Sequence, residues 1–179
     1  MLHIHRLLRN ALSHAVKWGI IGRNVCEAVD APRAKQKQMR ALESEEVNRL
    51  LGASKDTIYY SLFHLAIFTG MWRSELLGLR WRDVDLDPDR LTISVTQVLH
   101  NLGKGKIVVD EPKTEKSRRQ IALSPVAAIA LRQHKERQAA ERLMFGGALK
   151  DDDLVFANRD GTPFLGSSVT HAFNRTMRQ

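Results

Sequence analysis

The apolar pattern changes period twice along this chain, and that double change limits the folds open to it. In the first part, Leu8, Ala11, Leu12, Ala15 and Val16 recur at helical spacing, with Gly19 as a stop. A helix opening at residues 42–47 follows, with Ser44 as candidate cap and Glu45 and Glu46 in its first turn. An apolar segment over 58–68 ends at Gly70, and a further helix is predicted over 73–79. The pattern then becomes β-branched and partly alternating over 91–98, 106–109 and 119–123, with Gly103 and Gly105 marking a turn. After that it returns to helix. Ser124-Pro125 starts a long one that Gly146-Gly147 ends, and residues 167–177 form the last, with Val169 and Phe173 inward. Helices, three strands, then helices predict an α+β fold, mostly helical with a three-stranded antiparallel sheet.

Residues 31–41 interrupt the first helical part. They hold one proline, four cations (Arg33, Lys35, Lys37, Arg40) and no apolar period, the composition of an extended basic linker. Ahead of it lie one helix and a short second one through residue 29 that Asn24 would cap. Two such elements bury too little surface to stand as a domain. Residues 1–30 therefore read as the C-terminal end of a helical domain, 31–41 as a linker and 42–179 as a second domain.

Charge is distributed unevenly. The chain carries 28 Lys and Arg against 20 Asp and Glu, a net +8. Residues 1–40 hold eight of the cations and two of the acids, 8 − 2 = +6, which leaves +2 for the other residues. A basic arm of this kind suits a polyanion, nucleic acid first. A single cysteine, Cys26, excludes an internal disulfide framework and fits a reducing compartment. No apolar run reaches the roughly 18 residues of a membrane span, and the N-terminus lacks the pattern of a signal peptide. A cytoplasmic location is expected. The seven histidines show no metal-ligand spacing, and 103–106 reads as a hairpin turn, not a nucleotide cradle, so neither metal nor cofactor is expected.

Residues 68–81 read Phe-Thr-Gly-Met-Trp-Arg-Ser-Glu-Leu-Leu-Gly-Leu-Arg-Trp. This resembles the first catalytic box of the tyrosine recombinases, the phage-integrase family, usually Thr-Gly-x-Arg-x-Ser/Gly-Glu-Leu-x-x-Leu. Here Trp72 fills the arginine slot, with the spacing from Gly70 to Glu75 unchanged. Four other pieces resemble the family in its order. Residues 10–19 look like the last long helix of its core-binding (SAM-like) domain. Residues 23–26 look like its Arg-Asn-Pro-x step, with Val25 for proline. Residues 45–51 look like the opening helix of the catalytic domain, and 112–123 like the hairpin that carries a catalytic lysine.

The resemblance implies an incomplete tyrosine-recombinase catalytic domain. The family's later boxes, His-x-x-Arg, a further His or Trp, and the tyrosine nucleophile, would lie beyond Gln179. The implied chemistry is metal-free attack of a tyrosine on a DNA phosphodiester. Arginines hold the phosphate oxygens because a guanidinium gives paired, permanently charged donors. Lys113 would be the general acid. Trp72 occupies the catalytic arginine position. Arg73 would substitute only through irregular backbone, because one helical step turns a side chain by about 100°. Glu75 would orient the arginine, and with Trp72 present Arg73 or Arg80 would satisfy it instead. Arg33, Lys35, Lys37 and Arg40 would contact DNA along the linker, with Arg80, Arg118 and Arg119 as further contacts.

Two His-x-x-Arg matches, His3 to Arg6 and His134 to Arg137, fall outside the family's position for that box and are expected on helix surfaces. Tyr59 and Tyr60 are expected to be packing residues. The expected function is that of an integrase-like protein of DNA integration and recombination, catalytically incompetent as it stands. Its partner would be duplex DNA, with room for a homo-oligomer on DNA. The alternative is a non-catalytic DNA-binding or partner-capping protein derived from an integrase.

Overall fold

The computed structural model describes residues 2–32, 40–101, 107–110 and 118–178. It divides into two compact units, Met1–Ala41 and Leu42–Gln179.

The first unit is helix α1 (Leu2–Lys17) followed by a 3-10 turn at Val25–Glu27. The helix starts before the apolar run that predicts it. It ends at Gly19, whose φ of 71° is open to glycine at little cost. There the Ile20 N–H bonds the Ala15 carbonyl and the Gly19 N–H bonds the Val16 carbonyl, the paired closure of a Schellman motif. Asn24 then fastens the returning chain. Its Nδ2 donates to the Arg9 carbonyl (2.9 Å) and to Ser13 Oγ (2.8 Å), and its Oδ1 accepts from the Cys26 N–H (3.0 Å). An amide side chain supplies donors and an acceptor together, so a buried asparagine can cap and cross-link at once. The predicted second helix is thus a single capped turn.

The second unit places helices α2 (Ser44–Ser54), α3 (Tyr60–Thr69), α4 (Arg73–Gly78), α5 (Pro125–Met144) and α6 (Gly166–Thr176) around small sheets. The N-cap of α2 is Glu43, one residue before the predicted Ser44, and its N–H is taken by the Glu46 carboxylate at 3.0 Å. Helix α3 is apolar on nearly every face, and Ser61 to Leu65 are buried, so it runs through the core. Helix α5 starts as predicted, with Ser124 Oγ accepting from the Ala127 N–H at 3.2 Å and Pro125 in the first turn.

Among the described residues the strands form two antiparallel sheets. Strands β1 (Val84–Asp85), β2 (Thr92–Val95) and β5 (Arg119–Ala122) make a three-stranded sheet in the order β1-β2-β5. Strands β3 (Val98–Asn101) and β4 (Ile107–Asp110) make a separate hairpin. A three-stranded sheet is present, but its third strand is β1, and the run predicted over 91–98 is split between the two sheets. The cause of the split is α4. Gln97 Nε2 donates to the Gly78 carbonyl at 2.7 Å, and a Cβ on Gly78 would lie 3.2 Å from backbone atoms of Gln97, Val98 and Leu99. The chain turns aside there to pack β3 on the end of α4.

The core joins both layers: Leu50, Leu62, Leu65, Ile93, Leu131, Val155 and Phe156 are fully buried. Trp81 is 2% exposed. Its indole N–H donates to Gln138 Oε1 at 2.7 Å, and Gln138 Nε2 donates to the Leu154 carbonyl at 3.0 Å.

Candidate nucleic-acid interface

Helix α3 stops at Gly70 in the left-handed conformation (φ 64°), which lets the chain reverse into α4. Trp72 is the N-cap of α4, with extended backbone. Glu75 lies three residues on, and its Oε2 accepts the Trp72 N–H at 2.8 Å, which satisfies a donor that the helix leaves unpaired. The same carboxylate receives the fork of Arg119 from β5: Nη1 to Oε1 at 2.7 Å and Nη2 to Oε2 at 2.9 Å. The Glu75 side chain is 7% exposed and that of Arg119 34%. Hydrogen bonding to Glu75 holds the Arg119 guanidinium above its ordinary pKa.

This corrects the expected partner of Glu75. Strand register puts Arg119 opposite Val95, while the other two arginines are turned elsewhere. Arg73 Nη1 donates to Thr170 Oγ1 (2.6 Å) and the Gly166 carbonyl (3.3 Å) on α6. Arg80 Nε donates to Asp83 (3.0 Å) and its Nη2 to Thr96 Oγ1 (3.1 Å).

Trp72 itself is 74% exposed. It stands at a cleft of about 860 Å³ walled by α4, β3 and α6, where Arg73, His100, Ser167, Thr170 and His171 also contribute. Leu77 and Leu99, both buried, form its apolar floor. None of the described residues lining it is a carboxylate.

The sequence model of the phage integrase family matches residues 40–179. The chain belongs to the phage integrase family. An integrase of Streptomyces ambofaciens is 28% identical over 183 residues, covering 98% of this chain and 45% of that protein. A tyrosine recombinase XerC-like protein of Caldanaerobacter subterraneus is 26% identical, covering 98% and 49%. The chain thus spans about half the length of the curated relatives it matches. Among solved structures, the Tn1549 transposon integrase in complex with a circular intermediate DNA superposes with a TM-score of 0.74 at 20% identity, covering 99% of this chain and 59% of that one. A lambda integrase dimer bound to a COC′ core site gives 0.63 at 18% identity, with 98% and 56% covered. The likeness shows the phage-integrase fold, mostly helical with small antiparallel sheets.

Other predicted residues of this phage integrase family chain are placed unequally. Lys113, Arg33, Lys35 and Lys37 lie outside the described residues. Arg40 and Arg118 are exposed, and each engages a partner. His134 is half-buried, with its ring turned to the interior. Its Nε2 lies 2.6 Å from the Val155 carbonyl, its ring is 5.5 Å from Phe156, and burial lowers its pKa. The i, i+4 spacing from Ala130 and to Gln138, both buried, carries that signal. Tyr59 packs on Phe164 and Phe63, and Tyr60 on His64. Sequence reasoning misses His100, Thr170 and His171. They come from distant segments with no shared spacing, and only the fold gathers them.

Proposed function

We propose that this chain is a DNA-binding component of site-specific integration and recombination that does not itself cleave DNA. Residues 1–30 are the end of a core-binding domain, 31–41 a linker along the duplex, and 42–179 part of a catalytic domain. It acts in the cytoplasm. The observation that carries this reading is the mount at Trp72. The carboxylate at Glu75 is already filled by Arg119 and by the Trp72 N–H, and position 72 carries an exposed, uncharged indole. A phosphate in the transition state calls for fixed positive charge, and an indole offers one neutral N–H. By analogy with arginine fingers, the loss is about a thousandfold to a hundred-thousandfold in rate. Arg73 is mounted on α6 and not on Glu75, so it does not occupy the setting that the box gives its arginine.

Lys113 keeps the general-acid position. Arg33, Lys35, Lys37, Arg40 and Arg118 contact phosphates, while Arg80 and Arg119 serve the fold through Asp83 and Glu75. The excess of +6 over residues 1–40 supports that assignment. So do the solved relatives, described with DNA and, for lambda integrase, as a dimer and a tetramer on it. Assembly of several copies on DNA follows from the same reading.

A duplex that traps covalent intermediates tests the inactivity, because any protein–DNA adduct overturns it. Mobility-shift titrations across salt test the binding. The logarithm of the binding constant should fall linearly with the logarithm of salt. Replacing the four linker cations by alanine should reduce the slope by about 0.9 for each phosphate no longer neutralised. Absent or salt-independent binding overturns the reading.

A further inference from the structure

We propose that the cleft at Trp72 takes an unpaired nucleotide, with the indole as a stacking surface for the base and Arg73, His100 and His171 facing its phosphate. The inference rests on the DNA-binding reading above and goes beyond it, from backbone contact to a preference for distorted or open DNA.

The ring is anchored where it can act. Glu75 holds the Trp72 backbone N–H, and Glu75 is itself locked by the two-pronged bond from Arg119, so the root of the side chain is fixed while its face stays in water. Arg73, the next residue, is also held in place. Among the described residues its hydrogen bonds leave from Nη1, to Thr170 Oγ1 and the Gly166 carbonyl, and a guanidinium carries five N–H donors in all. His100 enters from β3 and His171 from α6. Each imidazole brings at least one N–H donor. An exposed π-face, an adjoining permanent cation, two imidazoles and no carboxylate in the described walls match a ligand that joins a flat ring to an anion. A nucleotide has that constitution.

A fully paired duplex does not offer it, because its base faces are covered by their neighbours. A bulged, gapped or junction nucleotide does. The substitution that removes phosphate chemistry from the slot therefore supplies a different recognition chemistry in the same place.

The test compares binding of the whole chain to three radiolabelled duplexes in one buffer: fully paired, carrying one unpaired nucleotide, and carrying an abasic residue at that position. Stacking of a single base predicts binding to the unpaired-nucleotide duplex tighter than to the paired one by about fivefold to a hundredfold. The preference should vanish for the abasic duplex and in Trp72→Ala, and persist in Trp72→Phe. Equal binding of paired and unpaired DNA overturns the inference while leaving the DNA-binding reading intact. A preference that survives in Trp72→Ala or on the abasic duplex overturns it as well. Failure to bind any of the three overturns both. A change of oligomeric state in Trp72→Ala, seen by sedimentation, would make the cleft a contact between copies and also overturns it.

Discussion

Glu75 accepts three hydrogen bonds through two oxygens, from a backbone N–H and from both arms of one guanidinium. A buried carboxylate is costly unless compensated this fully, and taking away one partner strands the charge. Arg119→Leu should therefore destabilise the protein by about 3 kcal/mol, the low end for a buried pair, because the Arg119 end is one-third exposed. Urea titration should show the midpoint falling with its slope unchanged. The sequence marks Glu75 as a residue with a role, because its spacing from Gly70 is that of the box. It does not identify the partner, which lies 44 residues away on another strand. Nearness along the chain favours Arg73 and Arg80, and the register of β5 on β2 decides against both.

At the level of elements, sequence is a good guide where local chemistry sets the structure. Ser124-Pro125 opens α5 because a hydroxyl cap and a fixed φ act within one turn. The run over 91–98 reads as one strand because β-propensity does not register a neighbouring helix. Gly78 is what divides it, through the approach of β3 to the end of α4. Gly78→Ala gives a clear case of packing against propensity. Alanine is favoured over glycine in a helix by about 1 kcal/mol. Here its methyl group would meet backbone rather than flexible side chains, and overpacking of that kind costs about 1–3 kcal/mol. The variant should melt at a lower temperature than the parent, and a higher one would show that the hairpin can move away.

Over the whole molecule, the layout of helices around a small sheet is legible from the two changes of period, and the basic stretch ends where the two compact units divide. What the sequence does not convey is which polar groups the core takes in. His64 on α3 is buried between Tyr60 and Phe68, and its Nδ1 has no partner among the described residues. His134 lies on α5, which packs against α3. Burial lowers the pKa of both. Arg137 pushes His134 the same way, and Glu141 and the Val155 carbonyl oppose it. Above the ordinary histidine value of 6.5, both rings are neutral whether the chain is folded or not. As pH falls through that value, the unfolded chain takes up protons that the folded one refuses, so stability declines until the lowered folded values are passed. Thermal melts from about pH 7 to about pH 5 should record this decline, and His64→Leu should make it shallower.

The three indoles are divided in a way that has a practical consequence. Trp18 and Trp72 are 73% and 74% exposed, while Trp81 is sealed in the core beneath the Lys135 ammonium, 5.1 Å from its ring. Intrinsic fluorescence thus has two populations: red-edge emission open to a dissolved quencher such as acrylamide, and a blue component that is shielded from it. The first reports what arrives at the surface and the second reports when the interior opens, so ligand capture and unfolding can be followed in one cuvette without an attached dye.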